Sequence, residues 1–253
     1  MRKNVEVKME ILRAIEETSL AISYIALALI SYIFSPHYKF IKNLALRLGD
    51  KVDQPEAQIY LERLFGFVLL GLIPAVVFPA LYHKSLADYG LAWPTGRGTV
   101  LWWIIPLVVF VLMGILRPSK GVNVAFYPQV RKNTWGFGRT AINTLSWAIY
   151  LAGYEFAFRG LLFFSCLSAF GLIPAIAINC AIYSISHISK GKGEAFGAFF
   201  TGILFCVIAY YSGSFIIPLV LHLVLAVGND LKAIAINPLV QFSFKKPNNG
   251  TPS

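Results

Sequence analysis

"TAINTLSWAIYLAGYEFAFRGLLFFSCLSAF", residues 140–170, is an apolar tract with two charges inside it. Glu155 and Arg159 are the only formally charged side chains between Thr140 and Ser189. About 20 helical residues cross a hydrocarbon core of roughly 30 Å, so the tract predicts a transmembrane helix. At 31 residues it is longer than the bilayer needs, which predicts that it is tilted, or broken at Gly153 or Gly160.

The whole chain has the composition of a membrane protein. Its 253 residues are 57% hydrophobic and only 13% charged, with a mean hydropathy of +0.66, which excludes an ordinary soluble globular domain. The composition and the apolar runs predict an all-α polytopic membrane helix bundle with seven to eight transmembrane helices. The predicted spans are 18–35, 64–82, 100–116, 140–170, 173–189, 195–211 and 213–228.

The remaining segments predict one membrane domain between two polar ends. Residues 1–17 form an N-terminal polar segment, 18–230 the membrane domain, and 231–253 a polar C-terminal tail, of which the end, "SFKKPNNGTPS" (243–253), is expected to be disordered. The mixed charges of "MRKNVEVKMEILRAIEE" are not those of a cleavable signal peptide. The protein is therefore expected to stay anchored as a multi-pass protein, with the cell membrane as its expected location.

The net charge of +10 is explained by Lys and Arg residues that flank the spans and meet anionic headgroups. No basic face interleaved with aromatic residues lies on a soluble module, so nucleic acid is excluded as a partner. The N-terminal segment and the loops at 36–63 and 117–139 are all basic, and their charges leave the orientation open. Cysteines 166, 180 and 206 fall within predicted spans and imply no disulfide framework.

The charges of the 140–170 tract need partners. A charged side chain at the bilayer centre costs about 2.5–3.5 kcal/mol on insertion scales, so such groups usually face the bundle interior. Glu155 and Arg159 are four residues apart, the spacing of an ion pair on one helix face. One interpretation is a purely structural ion pair.

Two histidines favour a second interpretation. His187 lies in "YSISHIS", four residues after Tyr183, and His222 lies among aliphatic residues in "IPLVLHLVLAVGND". A carboxylate and two imidazoles on neighbouring spans provide a general base, an orienting group and a donor to an oxyanion. The set is typical of an active site that uses water.

Three motifs in this order resemble the CPBP family of intramembrane proteases, which includes CAAX endopeptidases that trim prenylated proteins. They are "YEFAFRGLLF", "YSISHISKGKGEAFGAFFTG" and "SGSFIIPLVLHLVLAVGND", within residues 135–230. The resemblance implies an all-α bundle enclosing a cavity open to the membrane and to one aqueous side. It also implies that a Glu and a His activate water, while the last His and an Asn or Asp stabilise the oxyanion.

Five residues carry the family pattern onto this sequence. Glu155 and Arg159 match the glutamate and the arginine of the first motif. Tyr183 occupies the aromatic position of the second motif, and His187 and His222 match the histidines of the second and third motifs. The resemblance implies catalytic roles for Glu155, His187 and His222, and supporting roles for Arg159 and Tyr183.

Two positions depart from the family pattern. Tyr154 and Asn229 are the supporting residues predicted near these two positions. The pattern has Glu-Glu before the arginine, and its first Glu is Tyr154 here. The Asn or Asp expected four residues after His222 is Ala226, while Asn229 follows three residues later. Tyr154 can donate a hydrogen bond but cannot replace a carboxylate base at neutral pH.

Several alternatives remain open from the residues alone. Glu155, His187 and His222 also form a His, His, carboxylate set for zinc, although no His-Glu-x-x-His pair occurs; no cofactor is expected. The favoured function is hydrolysis of a peptide bond in a membrane-associated or prenylated substrate. The alternatives are an inactive relative that binds a partner or acts in immunity, and a small transporter.

Overall fold

A computed structural model describes residues 2–49, 53–94, 99–116 and 118–243. The end of the connector at 95–98 and residues 244–253, most of the tail predicted to be disordered, lie outside the described residues.

Helices account for most of the described chain, and two of them are prolonged by wider π-helical turns, Val68–Leu72 and Phe156–Leu162. The helices are α1 (Arg2–Ile33), α2 (Lys39–Leu48), α3 (Gln54–Phe67), α4 (Ile73–Tyr82), α5 (Thr99–Leu116), α6 (Phe137–Glu155), α7 (Phe163–Phe170), α8 (Leu172–Ile185), α9 (Lys192–Ser212) and α10 (Ile216–Ile236). Two short parallel strands, β1 (Thr134–Trp135) and β2 (Gln241–Phe242), pair the loop before α6 with the chain after α10.

The predicted all-α membrane helix bundle is confirmed, but in the described chain fewer helices than the predicted seven to eight are long and apolar enough to span a membrane. Four helical stretches of the described chain are long and apolar enough to cross a membrane: Val5–Ile33, Gln54–Tyr82, Lys192–Ser212 and Ile216–Ile236. Two shorter apolar helices, Trp103–Leu116 and Leu172–Ile185, accompany them. The chain is thus an integral membrane protein by both family resemblance and helix composition.

Several helices extend beyond the predicted spans. The first helix begins at Arg2 although the predicted span begins at residue 18, because segment 2–33 contains no Pro or Gly and charged residues do not stop a helix. The last helix continues to Ile236, just before Pro238, which cannot continue it.

The 140–170 tract is helical throughout, so the predicted break at Gly153 or Gly160 does not occur. Chain direction is maintained from α6 through the π-helical turns into α7. Gly153 instead permits a close crossing of two helices, because a Cβ built on Gly71 would lie 2.6 Å from the Gly153 Cα. The small residues bring the wall formed by α3 and its π-helical turns directly against α6.

The π-helical turns Phe156–Leu162 lie at the centre of the bundle. Every one of these residues is buried, and they contact α1, α8 and α9. Arg159 is therefore held in the core rather than at a lipid-facing surface.

Candidate active site

A cavity of about 820 Å³ opens among the helices. Its walls come from the C-terminal part of α1, the loop before β1, the middle of α6, the end of α8, the start of α9 and the middle of α10. Most of the residues predicted for the site line it, namely Tyr154, Tyr183, His187, His222 and Asn229, and Ala226 lies among them.

Glu155 lies behind the cavity wall. Its side chain is completely buried and is not among the residues that line the cavity. Its Oε1 atom lies 2.5 Å from His222 Nδ1 and 3.3 Å from Arg159 Nη1. The three side chains meet, as expected for charged groups that need partners, but Glu155 and Arg159 do not line the cavity that His187 and His222 share.

The hydrogen bond to Glu155 sets the protonation pattern of the His222 ring. A carboxylate accepts hydrogen bonds, so Nδ1 carries the proton that lies between His222 and Glu155. The His222 Nε2 atom is then the ring nitrogen left for the cavity. This arrangement is the carboxylate–histidine pairing that orients an imidazole in many active sites.

His187 is oriented by backbone rather than by a carboxylate. Its Nδ1 lies 2.9 Å from the carbonyl oxygen of Tyr183 and 3.1 Å from Ser186 Oγ. Because a carbonyl oxygen only accepts, Nδ1 carries the hydrogen in the neutral ring and Nε2 keeps its lone pair. The lone pair is the feature that a general base requires.

Tyr154 occupies the position where the resembled family has a glutamate. Its hydroxyl lies 2.7 Å from Ser186 Oγ, and Ser186 donates its own proton to the Tyr183 carbonyl at 2.7 Å. Tyr154 is therefore the donor in the bond to Ser186. Ser186 was missed by sequence reasoning, although it lies beside His187 in "YSISHIS".

Aromatic rings enclose the Arg159 guanidinium. Its central carbon lies 4.0 Å from the Tyr183 ring centroid and 5.1 Å from that of Phe205, distances typical of cation–π contacts. Arg159 Nε and Nη2 and Glu155 Oε2 are buried without a hydrogen-bond partner within the described part of the chain. The pair is thus held by charge and by ring contacts more than by a complete set of hydrogen bonds.

The position after His222 lacks a polar group. Ala226 lines the cavity but has no side-chain donor, and Asn229 lines it further along α10. The Asn229 side chain is hydrogen-bonded to Tyr127. Burial raises the pKa of Tyr127 above its usual range, which keeps its hydroxyl protonated as a donor.

A second buried network lies beside the cavity and was also missed. Arg63 donates to Asn143 Oδ1 at 2.8 Å and lies 4.0 Å from the Trp147 ring centroid. Asp230 accepts from Asn143 Nδ2 at 2.8 Å and from Trp147 Nε1 at 2.7 Å. These groups join α3, α6 and α10. In the sequence they are only isolated polar residues within apolar runs, so nothing indicated that they would meet.

Glu155, His187 and His222 are not arranged as the ligands of one zinc ion. Glu155 and His222 Nδ1 face each other, and across the described ranges no group of three or more His, Cys, Asp and Glu side chains is placed to hold a metal ion.

Comparison with known families identifies the segment that carries this site. Residues 137–227 match the family model described as Rce1-like, type II CAAX prenyl endopeptidase Rce1-like. The resemblance to CAAX-type CPBP proteases inferred from the three motifs is thereby confirmed, and the match supports a CAAX-type intramembrane protease fold for these residues. Neither the curated proteins nor the solved structures give a match.

Proposed function

We propose that this protein is an intramembrane endopeptidase that hydrolyses a peptide bond in a membrane-associated or prenylated protein or peptide. The observation that carries the proposal is that the imidazoles of His187 and His222 line one cavity. The Nδ1 atom of each ring is already hydrogen-bonded within the protein. Each ring has its Nε2 available to water or substrate. The family match over residues 137–227 supplies the reaction class.

His187 serves as the general base in this mechanism. Its Nε2 lone pair accepts a proton from a water molecule, and the water oxygen attacks the carbonyl carbon of the scissile peptide bond. The tetrahedral intermediate then collapses, and the same proton passes from Nε2 to the leaving amine nitrogen. One water is consumed, and a carboxylic acid and an amine are produced.

His222 and Tyr154 supply hydrogen bonds to the oxyanion. The protonated His222 ring donates from Nε2, and the buried carboxylate of Glu155 stabilises the imidazolium through Nδ1. The Tyr154 hydroxyl lies on the same wall, where Ala226 provides no donor, and its one proton turns from Ser186 to the oxyanion when substrate binds. Glu155 is a positioning residue in this mechanism, because its carboxylate is sealed from the cavity.

Arg159 and Tyr183 hold the arrangement in place. Arg159 neutralises the Glu155 charge, and Tyr183 both stacks on the guanidinium and accepts from His187 through its carbonyl. Asn229 is the remaining polar residue on the α10 wall. No cofactor takes part in the proposed chemistry, the bilayer supplies the surroundings, and we propose the cell membrane as its location.

The test is hydrolysis of synthetic peptides by purified protein in lipid nanodiscs. A prenylated peptide and a transmembrane peptide, each with a fluorophore and a quencher around the scissile region, report cleavage. His187→Gln is expected to lower kcat by at least about 100-fold, since general-base catalysis contributes about 10²–10⁴-fold. His37→Gln is the matched control, because His37 is exposed outside the cavity.

Failure of the natural protein to cleave any of these peptides would overturn the proposal and leave the partner-binding alternative. Activity that survives His187→Gln would overturn the assigned base. Loss of activity in the presence of a zinc chelator, with recovery on adding zinc, would establish the metal mechanism instead.

A further inference from the structure

Helix α2 stays at the end of the bundle that carries the cavity. The chain leaves α1 at Ile33 and enters α3 at Gln54, so α2 lies between two crossing segments at one end of the bundle. Its ten residues extend about 15 Å, half of a hydrocarbon core of roughly 30 Å. Ser35 and Pro36, which precede α2, line the cavity. The helix therefore lies at the membrane surface beside the cavity rim.

The side chains of α2 divide into two arcs around the helix axis. Ile41 and Ala45 are buried against the bundle. Phe40, Leu44 and Leu48 lie beside them on the helix surface and are left exposed by the protein. The opposite arc carries Leu46 and the polar side chains of the helix, which are Lys39, Lys42, Asn43 and Arg47. This division is typical of a helix that lies in the membrane interface with its apolar arc at the acyl boundary.

Aromatic rings attach the start of α2 to α3. The Tyr38 ring stacks on Phe40 with centroids 5.8 Å apart. Phe65 of α3 meets both rings edge to face, with centroid distances of 5.8 Å to Tyr38 and 5.6 Å to Phe40. Aromatic side chains are enriched at the membrane–water interface. The fold thus sets the orientation of the polar arc before any lipid binds.

Several other cations at this end of the bundle already have partners within the protein. They are Lys132 with Asp53, Arg139 with Glu56, Arg131 with three backbone carbonyls of the loop before β1, and Lys232 with the Ile115 carbonyl. Their charges are therefore partly spent on holding the loops together.

The cations of α2 have no such partner. Lys39, Lys42 and Arg47 are exposed, and in the described ranges no carboxylate oxygen lies within 4.0 Å of these side chains. Three cations on one arc of an interfacial helix attract the phosphate groups of anionic lipids, and the Arg47 guanidinium can bind a phosphate through two parallel hydrogen bonds. The apolar arc beside them favours a lipid over a soluble anion.

We propose that α2 is an interfacial helix that binds anionic phospholipid headgroups at the rim of the cavity. The apolar arc enters the acyl boundary, and the three cations contact the phosphates. A zwitterionic headgroup carries its own compensating cation, so α2 discriminates between phosphatidylglycerol and phosphatidylcholine. The proposal goes beyond the proposed hydrolysis, because a partner-binding protein with this helix would bind the same lipid.

The first test measures lipid binding by native mass spectrometry of the purified protein in mild detergent. The protein is titrated with phosphatidylglycerol or with phosphatidylcholine of the same acyl chains. We expect at least about 10-fold tighter binding of phosphatidylglycerol, since each Lys or Arg near an anionic surface contributes roughly 5-fold. The triple variant Lys39→Gln, Lys42→Gln and Arg47→Gln should lose most of this preference. A charge-retaining triple variant, Lys39→Arg, Lys42→Arg and Arg47→Lys, should keep it.

The matched control is the triple variant Lys8→Gln, Lys120→Gln and Lys192→Gln, which removes three exposed cations outside α2. It should change the ratio of the two Kd values by less than about 2-fold, because exposed charges separated by more than about 10 Å are largely screened at 0.1 M salt. Equal binding of the two lipids by the natural protein would overturn the proposal. A preference that survives the α2 triple variant would place the anionic lipid elsewhere and overturn it as well.

The second test locates the two arcs relative to the bilayer. A nitroxide label is attached to Leu44→Cys or to Asn43→Cys in nanodiscs, where the three native cysteines are buried. Because oxygen concentrates in lipid and a nickel chelate stays in water, we expect oxygen to relax the label at 44 more strongly and the chelate to relax the label at 43 more strongly. Equal responses at the two positions would contradict an interfacial α2.

Discussion

The Tyr154 ring stands between the two imidazoles of the cavity, with its centroid 6.4 Å from that of His187 and 5.7 Å from that of His222. Where the resembled family has a second carboxylate, this chain has a neutral aromatic group that contacts both histidines. The carboxylate that the motif keeps, Glu155, is committed to His222.

Tyr154→Phe tests the contribution of the phenol oxygen. The ring contacts should remain, while the bond to Ser186 and the second oxyanion donor are lost. We expect kcat to fall by about 10-fold or more with the thermal stability in detergent nearly unchanged. Tyr210→Phe, in an exposed side chain near the end of α9, is the control and should alter neither quantity.

The double reversion Tyr154→Glu with Ala226→Asn restores both family residues. Because it places a carboxylate beside water in the cavity and a donor on α10, we expect hydrolysis to equal or exceed that of the natural chain in the same peptide assay. Activity gained by the reversion from an inactive natural protein would identify the natural chain as the partner-binding relative.

Variants of the Glu155–Arg159 pair distinguish an effect on stability from an effect on catalysis. Arg159→Met alone leaves a buried carboxylate uncompensated, which should lower the free energy of unfolding by about 3–5 kcal/mol. Adding Glu155→Gln removes the stranded charge, and the double variant should recover much of that stability. The recovered protein should still hydrolyse peptides at least about 10-fold more slowly, because His222 has lost the carboxylate that stabilises its imidazolium. Chemical unfolding in mild detergent and the peptide assay report the two quantities, and full activity in the double variant would remove Glu155 from the mechanism.

Gly71→Ala tests the close helix crossing behind the cavity. The added methyl group would lie 2.6 Å from the Gly153 Cα, so the helices must separate, at a cost of about 1–3 kcal/mol. We expect a lower midpoint of thermal unfolding and reduced activity. Gly114→Ala, where a new Cβ would meet nothing within 4 Å, is the control and should not lower the midpoint.

The bundle and the membership of the site were predictable from local signals. Apolar runs require helices in hydrocarbon, and Glu155, Arg159, His187 and His222 stood out because charged and ionisable groups are costly there. Helix ends were less predictable, since the polar residues before residue 18 do not prevent α1 from starting at Arg2.

The connections within the site were not predictable, because they depend on how distant helices are rotated about their axes. The sequence placed Glu155 and Arg159 on one face but did not indicate that Glu155 would turn from the cavity toward His222. Serine 186 had no signal beyond its position next to His187.

The wide turns at Phe156–Leu162 make the site tolerant of a change in chain length. A π-helical turn closes its hydrogen bond one residue later than an α-helical turn, so this stretch takes up a residue that a regular helix would not. Deleting a single residue here would let the helix become regular while α6 and α7 keep their rotation relative to each other. The same deletion inside α6 would turn the two parts of that helix by about 100° relative to each other. Among related chains, gaps of one residue should therefore be commoner in this stretch than within α6.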